Sequence, residues 1–227
     1  MKKYLLILCS ALLFSATTPV KYVTVKMVDG VWSSMPKDFV VMSDDDVAKK
    51  YPSTKKPVAM YTNLDRTVDY GLNISKSKWG GADLKLLKDI YKSTILQSYD
   101  TVTFIKEDIV EVNGRPYIRY EFDATFDGNI GYHYMMISIL VKTNAEAIED
   151  KDALLPGNAK HIMIFNFYAP VHLKATYQPI AETMLMSLKV NTKQASKAIP
   201  EVPQPQVKGL NSQQLLQEQN KRKATKK

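Results

Sequence analysis

Thr101 to Val141, TVTFIKEDIVEVNGRPYIRYEFDATFDGNIGYHYMMISILV, holds two tight-turn signals, Asn113-Gly114 and Asp127-Gly128, each flanked by strand-forming residues. Two-residue hairpin turns need positive φ at their central positions, which Asn, Asp and Gly tolerate. The stretch therefore reads as a three-stranded antiparallel meander, and the rest of the chain has to be arranged around it.

The turns also fix the register. A two-residue loop at Asn113-Gly114 places Ile109 opposite Ile118 and Ile105 opposite Phe122 on one side of the sheet. On the other side it sets Asp108 against Arg119 and Lys106 against Glu121, both favourable cross-strand pairs. The loop at Asp127-Gly128 then pairs Tyr120 with Met135, Ile118 with Ile137 and Phe122 with His133. It also pairs Asp123 with Tyr132 and Glu121 with Tyr134. A slip of one residue would turn every side chain to the wrong face. Tyr134 to Val141 is apolar apart from Ser138, as expected of a central strand covered on both faces.

Around the meander the pattern alternates between strands and helices. Val20 to Trp32 is mixed and β-prone and reads as a leading strand or extended arm. Phe39 to Met42 is a short strand. Ser43 is an N-cap for a short helix whose first turn holds Asp44, Asp45 and Asp46, where carboxylates suit the positive helix end. Those three aspartates lack the spacing, glycine and distant Glu of a calcium loop. Val58–Thr62 and Thr67–Ser75 read as a hairpin. Trp79-Gly80-Gly81 is a loop before a helix over 82–98 with Leu84, Leu87, Tyr91 and Ile95 on one stripe, reinforced by Ile90. Thr143 to Asn158 is a polar, acidic loop, and His161 to Tyr168 a further buried strand. Tyr177, Ile180, Ala181, Met184, Leu185 and Leu188 form the clearest helical stripe, with Pro179 expected in its first turn.

Both ends differ from this body. Lys2 and Lys3 precede an apolar run, Tyr4 to Phe14, and then small residues, the pattern of an export signal over 1–17. Cys9 is the only cysteine and lies inside the run, so anchoring as a lipoprotein through it is the less favoured alternative to a periplasmic or secreted address. A mature chain without cysteine has no disulfide or thiolate chemistry. From Asn191 Pro, Gln and Lys dominate, and 191–227 reads as a disordered basic tail. The formal net charge of +8 is carried by the two ends. The body is close to neutral, which argues against nucleic acid as a partner.

No catalytic signature emerges. His133, His161 and His172 have no metal-ligand spacing. Nucleophile motifs and a phosphate-cradling glycine loop are absent, so no cofactor is expected. Glu121 and Asp123 share a strand face and are the one carboxylate pair that a hydrolase of an envelope polymer would use. The register gives Glu121 a partner in Lys106, which favours a solvated ladder. Arg119, Glu121, Asp123, Tyr132 and Tyr134, beside Lys106 and Asp108, form a candidate interaction patch. The alternative is that a helix covers the tyrosines and leaves the charges as its rim.

Several phrases resemble a known group: MPKDFVVMS, KKYPSTKKPVAMYTNLDRTVDYGLNIS, a helix ending near LQSYDTVTF, EVNGRPYIRYEF, and a last helix ending MLMSLKV. From Met35 to Val190 they look like the PsbP-like fold group. It includes the photosystem II extrinsic protein P, a Ran-binding import factor and exported bacterial proteins of the DcrB type. The resemblance implies an α+β fold: a central antiparallel sheet of about six or seven strands with helices on both faces, an α/β/α sandwich. Residues 18–34 would form a leading arm, 35–190 the domain. The resemblance also implies a non-enzymatic binding or assembly-accessory role, here through an envelope protein. The basic tail would add weak contact with anionic membrane or cell-wall polymer. A small-ligand carrier is a further alternative.

Overall fold

The computed structural model describes residues 19–51, 56–75, 84–141 and 160–195. The expected export signal with Cys9, the loops at 79–81 and 143–158, and the tail beyond 195 lie outside them.

The elements in chain order are β1 (Tyr22–Val28), β2 (Val31–Pro36), β3 (Val40–Val41), α1 (Asp44–Lys50), β4 (Ala59–Thr62), β5 (Asp69–Ile74) and α2 (Leu84–Ser98). Then come β6 (Thr101–Val112), β7 (Arg115–Phe126), β8 (Asn129–Val141) and β9 (Lys160–Pro170). A 3-10 turn at Val171–Leu173 leads into α3 (Lys174–Met186), followed by β10 (Lys189–Val190) and α4 (Thr192–Ala195). The main sheet has seven strands in the order β3-β4-β5-β9-β8-β7-β6, every neighbour antiparallel. β1, β2 and β10 form a second, three-stranded sheet.

The meander forms as its turns require. Asn113 and Asp127 have φ of 50° and 49°, and Gly114 and Gly128 both 75°. Ile109 faces Ile118, Asp108 faces Arg119, Lys106 faces Glu121, and the β7–β8 pairs fall as expected. One pair differs. Phe104, not Ile105, stands opposite Phe122, because the register shifts between Phe104 and Lys106. Ile105 is the extra residue of a β-bulge. It is left 41% exposed while Phe104 turns inward onto Tyr120 and Phe122.

Neighbouring residues on a strand point to opposite faces, and β7 shows what each face meets. Tyr120 donates to the carbonyl of Lys88 in α2, whereas Glu121 accepts from Gln178 in α3. Leu87 and Ile95 of α2 join Ile118, Tyr120, Phe122 and Ile137 in one apolar cluster. Ile180, Ala181, Met184 and Leu185 of α3 join Tyr132, Tyr134, Met136, Phe165 and Phe167 in the other. The two long helices thus cover opposite faces. Each fully buried Leu or Ile contributes roughly 1.5–3 kcal/mol by leaving water.

Some local expectations change. Ile90 lies off the buried stripe of α2, 43% exposed. Pro179 sits inside α3, since the helix begins at Lys174. Ser43 caps α1 as expected, its hydroxyl accepting from the Asp46 N–H at 3.2 Å. The expected arm packs into the body: Met27 and Val31 belong to the α3-side cluster, as does Met35 just after it. The body also runs past Val190, because α4 buries Ala195 completely.

Candidate functional site

The residues of the candidate patch meet along one seam, between α3 and the strands β6, β7 and β8. Lys174, Gln178 and Glu182 recur every fourth residue of α3 and so share one flank of the helix. Each meets a charged residue of the sheet. Lys174 Nζ is 2.6 Å from Asp123 Oδ2. Gln178 Nε2 donates to Glu121 Oε1 at 2.5 Å. Glu182 Oε1 lies 3.1 Å from Lys106 Nζ.

Glu121 is the centre of the seam. It has no exposed surface. Its Oε1 also accepts from the Tyr132 hydroxyl at 3.1 Å, and its Oε2 faces Lys106 Nζ at 3.1 Å. Tyr132 and Tyr134 are likewise fully buried. Lys174 lies over the Tyr132 ring and Lys106 over the Tyr134 ring, each ammonium within 6 Å of the centroid. Beyond them Arg119 grips Asp108 with both Nε and an Nη, the Nε bond being 2.7 Å.

Electrostatics follow from this geometry. The Arg119 hydrogen bonds hold the Asp108 carboxyl below its ordinary range. Burial and then Glu121 push the Tyr132 phenol up. Burial opposes the charge on Lys106, but Glu121 and Glu182 outweigh it and raise its pKa. What reaches solvent is a row of fixed, alternating charges: Asp108 and Glu182 each have 46% of the side chain exposed, Lys106 has 33%, and Lys174 and Asp123 each have 26%.

Of the two arrangements open to the candidate patch, the helix-covered one is therefore present. Arg119 and Asp123 stand at the rim, while Glu121, Tyr132 and Tyr134 lie under α3. The same cover closes Glu121 to a polymer substrate. The α3 partners went unread in the sequence, although the four-residue spacing of Lys174, Gln178 and Glu182 signals them.

The histidines stay apart. His133 stacks on Phe122 with ring centres 4.9 Å apart, and burial lowers its pKa to about 4. His161 Nδ1 is 2.7 Å from the Ser75 carbonyl oxygen. His172 lies in the exposed turn before α3. No group of three or more His, Cys, Asp or Glu placed to hold a metal ion occurs among the described residues.

A second polar cluster was not foreseen. Asp69 is 1% exposed; its Oδ2 accepts from Tyr51 Oη and Lys50 Nζ, both at 2.6 Å. Beside it a hollow of about 220 Å³ is lined by Met42, Asp46, Lys49, Lys50, Thr62 and Arg66. Four of its six lining residues are charged, and it is smaller than the pocket that a small-ligand carrier needs.

Among known proteins, no family model matches the chain, and no curated protein does. Solved structures that it is similar to include cyanobacterial PsbP from Synechocystis sp. PCC 6803, at 13% identity and TM-score 0.48, covering 78% of this chain and 96% of that one. LpqN of Mycobacterium tuberculosis, involved in cell envelope biogenesis, has 9% identity and TM-score 0.48, covering 76% and 91%. The Ran-binding protein Mog1p of Saccharomyces cerevisiae has 9% identity and TM-score 0.48, covering 80% and 100%. PsbP and a Ran-binding protein are kinds that the sequence resemblance names. These are likenesses of chain path. The α+β architecture rests on the chain's own strand order and register, and no residue role passes from them to this chain.

Proposed function

We propose that this chain is a non-enzymatic binding or assembly-accessory domain of the bacterial cell envelope, acting through protein–protein contacts. One observation carries the reading: the row Asp108–Arg119, Lys106–Glu182 and Asp123–Lys174 sits at the surface with its charges already paired and held. Side chains fixed before contact lose little entropy on binding, and alternating charge gives selectivity more than raw affinity. The leader-like residues 1–17 support an exported location. The basic residues after Ala195 suit weak attraction to anionic membrane or cell-wall polymer.

A photo-reactive residue at Glu182 or Asp108 tests this in intact envelopes. The expected result is one defined protein adduct, absent when the probe is at Leu64, which is exposed on the β4–β5 turn. Equal labelling from Leu64, or none from the rim, sinks the proposal. Deleting 196–227 should lower retention in the membrane fraction at low salt only. Unchanged retention removes the tail's role.

A further inference from the structure

The two edges of the main sheet differ. β3 is two residues long. β6 is twelve residues long and, among the described residues, has no strand on its outer side. Proteins blunt such edges by shortness, bulges, charge or proline. The bulge at Ile105 does this for the first half of β6, but the run from Lys106 to Val112 is regular and free of proline.

The two-residue turn after Val112 sets which backbone groups face outward. Val112 and Arg115 flank it and exchange hydrogen bonds, so Val110, Asp108 and Lys106 also bond inward to β7. Glu111, Ile109 and Glu107 therefore turn their N–H and C=O groups away from the sheet. Among the described residues, no backbone group bonds to them. Their side chains share the α2 face. Glu107 is held by Lys88 at 2.9 Å and Lys92 at 2.6 Å. Ile109 is 40% exposed, and Glu111 is exposed next to it.

We infer that β6 accepts an extended segment of another protein by strand addition along Glu107, Ile109 and Glu111. This rests on the binding reading above and names the partner's form: a β-strand with an apolar residue beside Ile109 and a basic one beside Glu111. Main-chain bonds supply affinity and alternate side chains supply selectivity. A second copy of this chain fits worse. Antiparallel self-pairing centred on Glu107, Asp108, Ile109 or Glu111 sets carboxylate against carboxylate, which is unfavourable, and centring on Val110 instead sets Ile109 against Glu111.

A short capped peptide Lys-Thr-Val-Thr-Lys, which sets valine beside Ile109 and a lysine beside Glu111, is the probe. Titrated into the 15N-labelled full chain, it should give saturable amide shifts at Glu107, Ile109 and Glu111, with new protection from hydrogen exchange. The same peptide with glutamate in place of both lysines should bind about tenfold more weakly. Ile109→Pro removes an outward N–H, which an edge strand tolerates, so affinity should fall about tenfold or more with the fold kept. Glu111→Pro repeats the test should Ile109→Pro fail to fold. Val110→Pro removes an inward bond and should destabilise the chain, confirming the parity. Equal binding of the lysine peptide N-methylated on its pairing edge, or shifts located elsewhere, would overturn strand addition. So would self-association through the same amides. Rim adducts that persist unchanged in Ile109→Pro overturn it too, while leaving the binding reading intact.

Discussion

Glu121 and His133 show how little of a residue's role follows from its type. Glu121 looks like an acid–base candidate, yet it joins α3 to the sheet through Gln178, Tyr132 and Lys106. Glu121→Leu should cost about 3 kcal/mol in urea unfolding, because it strands a hydroxyl, an amide and part of an ammonium. Glu121→Gln should cost less. A loss below 1 kcal/mol for the leucine variant would show that the seam does not hold the helix. Burial pushes the His133 imidazole from its ordinary 6.5 down to about 4. Between those values the unfolded chain binds the extra proton, so the native state loses stability as pH falls from 6.5 to 4. The unfolding free energy of the native chain relative to His133→Phe should drop by roughly 3 kcal/mol over that window. A flat difference would refute the assignment.

At the scale of elements, the turns and the cross-strand pairs were legible because both act locally. Asn113-Gly114 and Asp127-Gly128 dictate loop length, and loop length dictates register. The bulge at Ile105 was not legible. It changes no turn, and both Phe104 and Ile105 satisfy an apolar position opposite Phe122. The helix stripe of α3 was plain in the sequence, but its start was not. Lys174 to Gln178 carry few apolar residues, and their helical state depends on contacts with Asp123 and Glu121 far along the chain. The burial of Asp69 was not legible for a similar reason, since its partners Lys50 and Tyr51 come from the end of α1. Pro179 gives a prediction at this scale. It is exposed inside α3 and offers no N–H to the preceding turn. Pro179→Ala should raise stability by about 1–2 kcal/mol, the helix gain exceeding the entropy returned to the unfolded chain. No change, or a loss, in urea midpoint would mean that the proline's ring contacts matter more.

For the whole molecule, the second sheet matters most. Gly30 has φ 77°, and its carbonyl accepts from Asn191 N–H at 2.7 Å. A Cβ there would meet Ala195 N at 2.3 Å. Gly30→Ala should therefore cost about 2 kcal/mol or more and loosen both ends together. Hydrogen exchange should quicken in β1, β2 and β10 before the seven-stranded sheet opens. Uniform acceleration throughout would contradict that order.

β2 meets the end of the described chain on three counts. It pairs with β10, Ser33 Oγ donates to the Met184 carbonyl at 3.0 Å, and Ser34 N–H donates to Ser187 Oγ at 2.7 Å. The first hairpin made is thus among the last to be completed. During N-to-C synthesis β1 and β2 wait for residues some 150 positions downstream, as the sequence separations of 151 and 153 in those two hydrogen bonds require. Until Val190 has emerged, the β1–β2 hairpin of a nascent chain lacks the partners that hold it to the body.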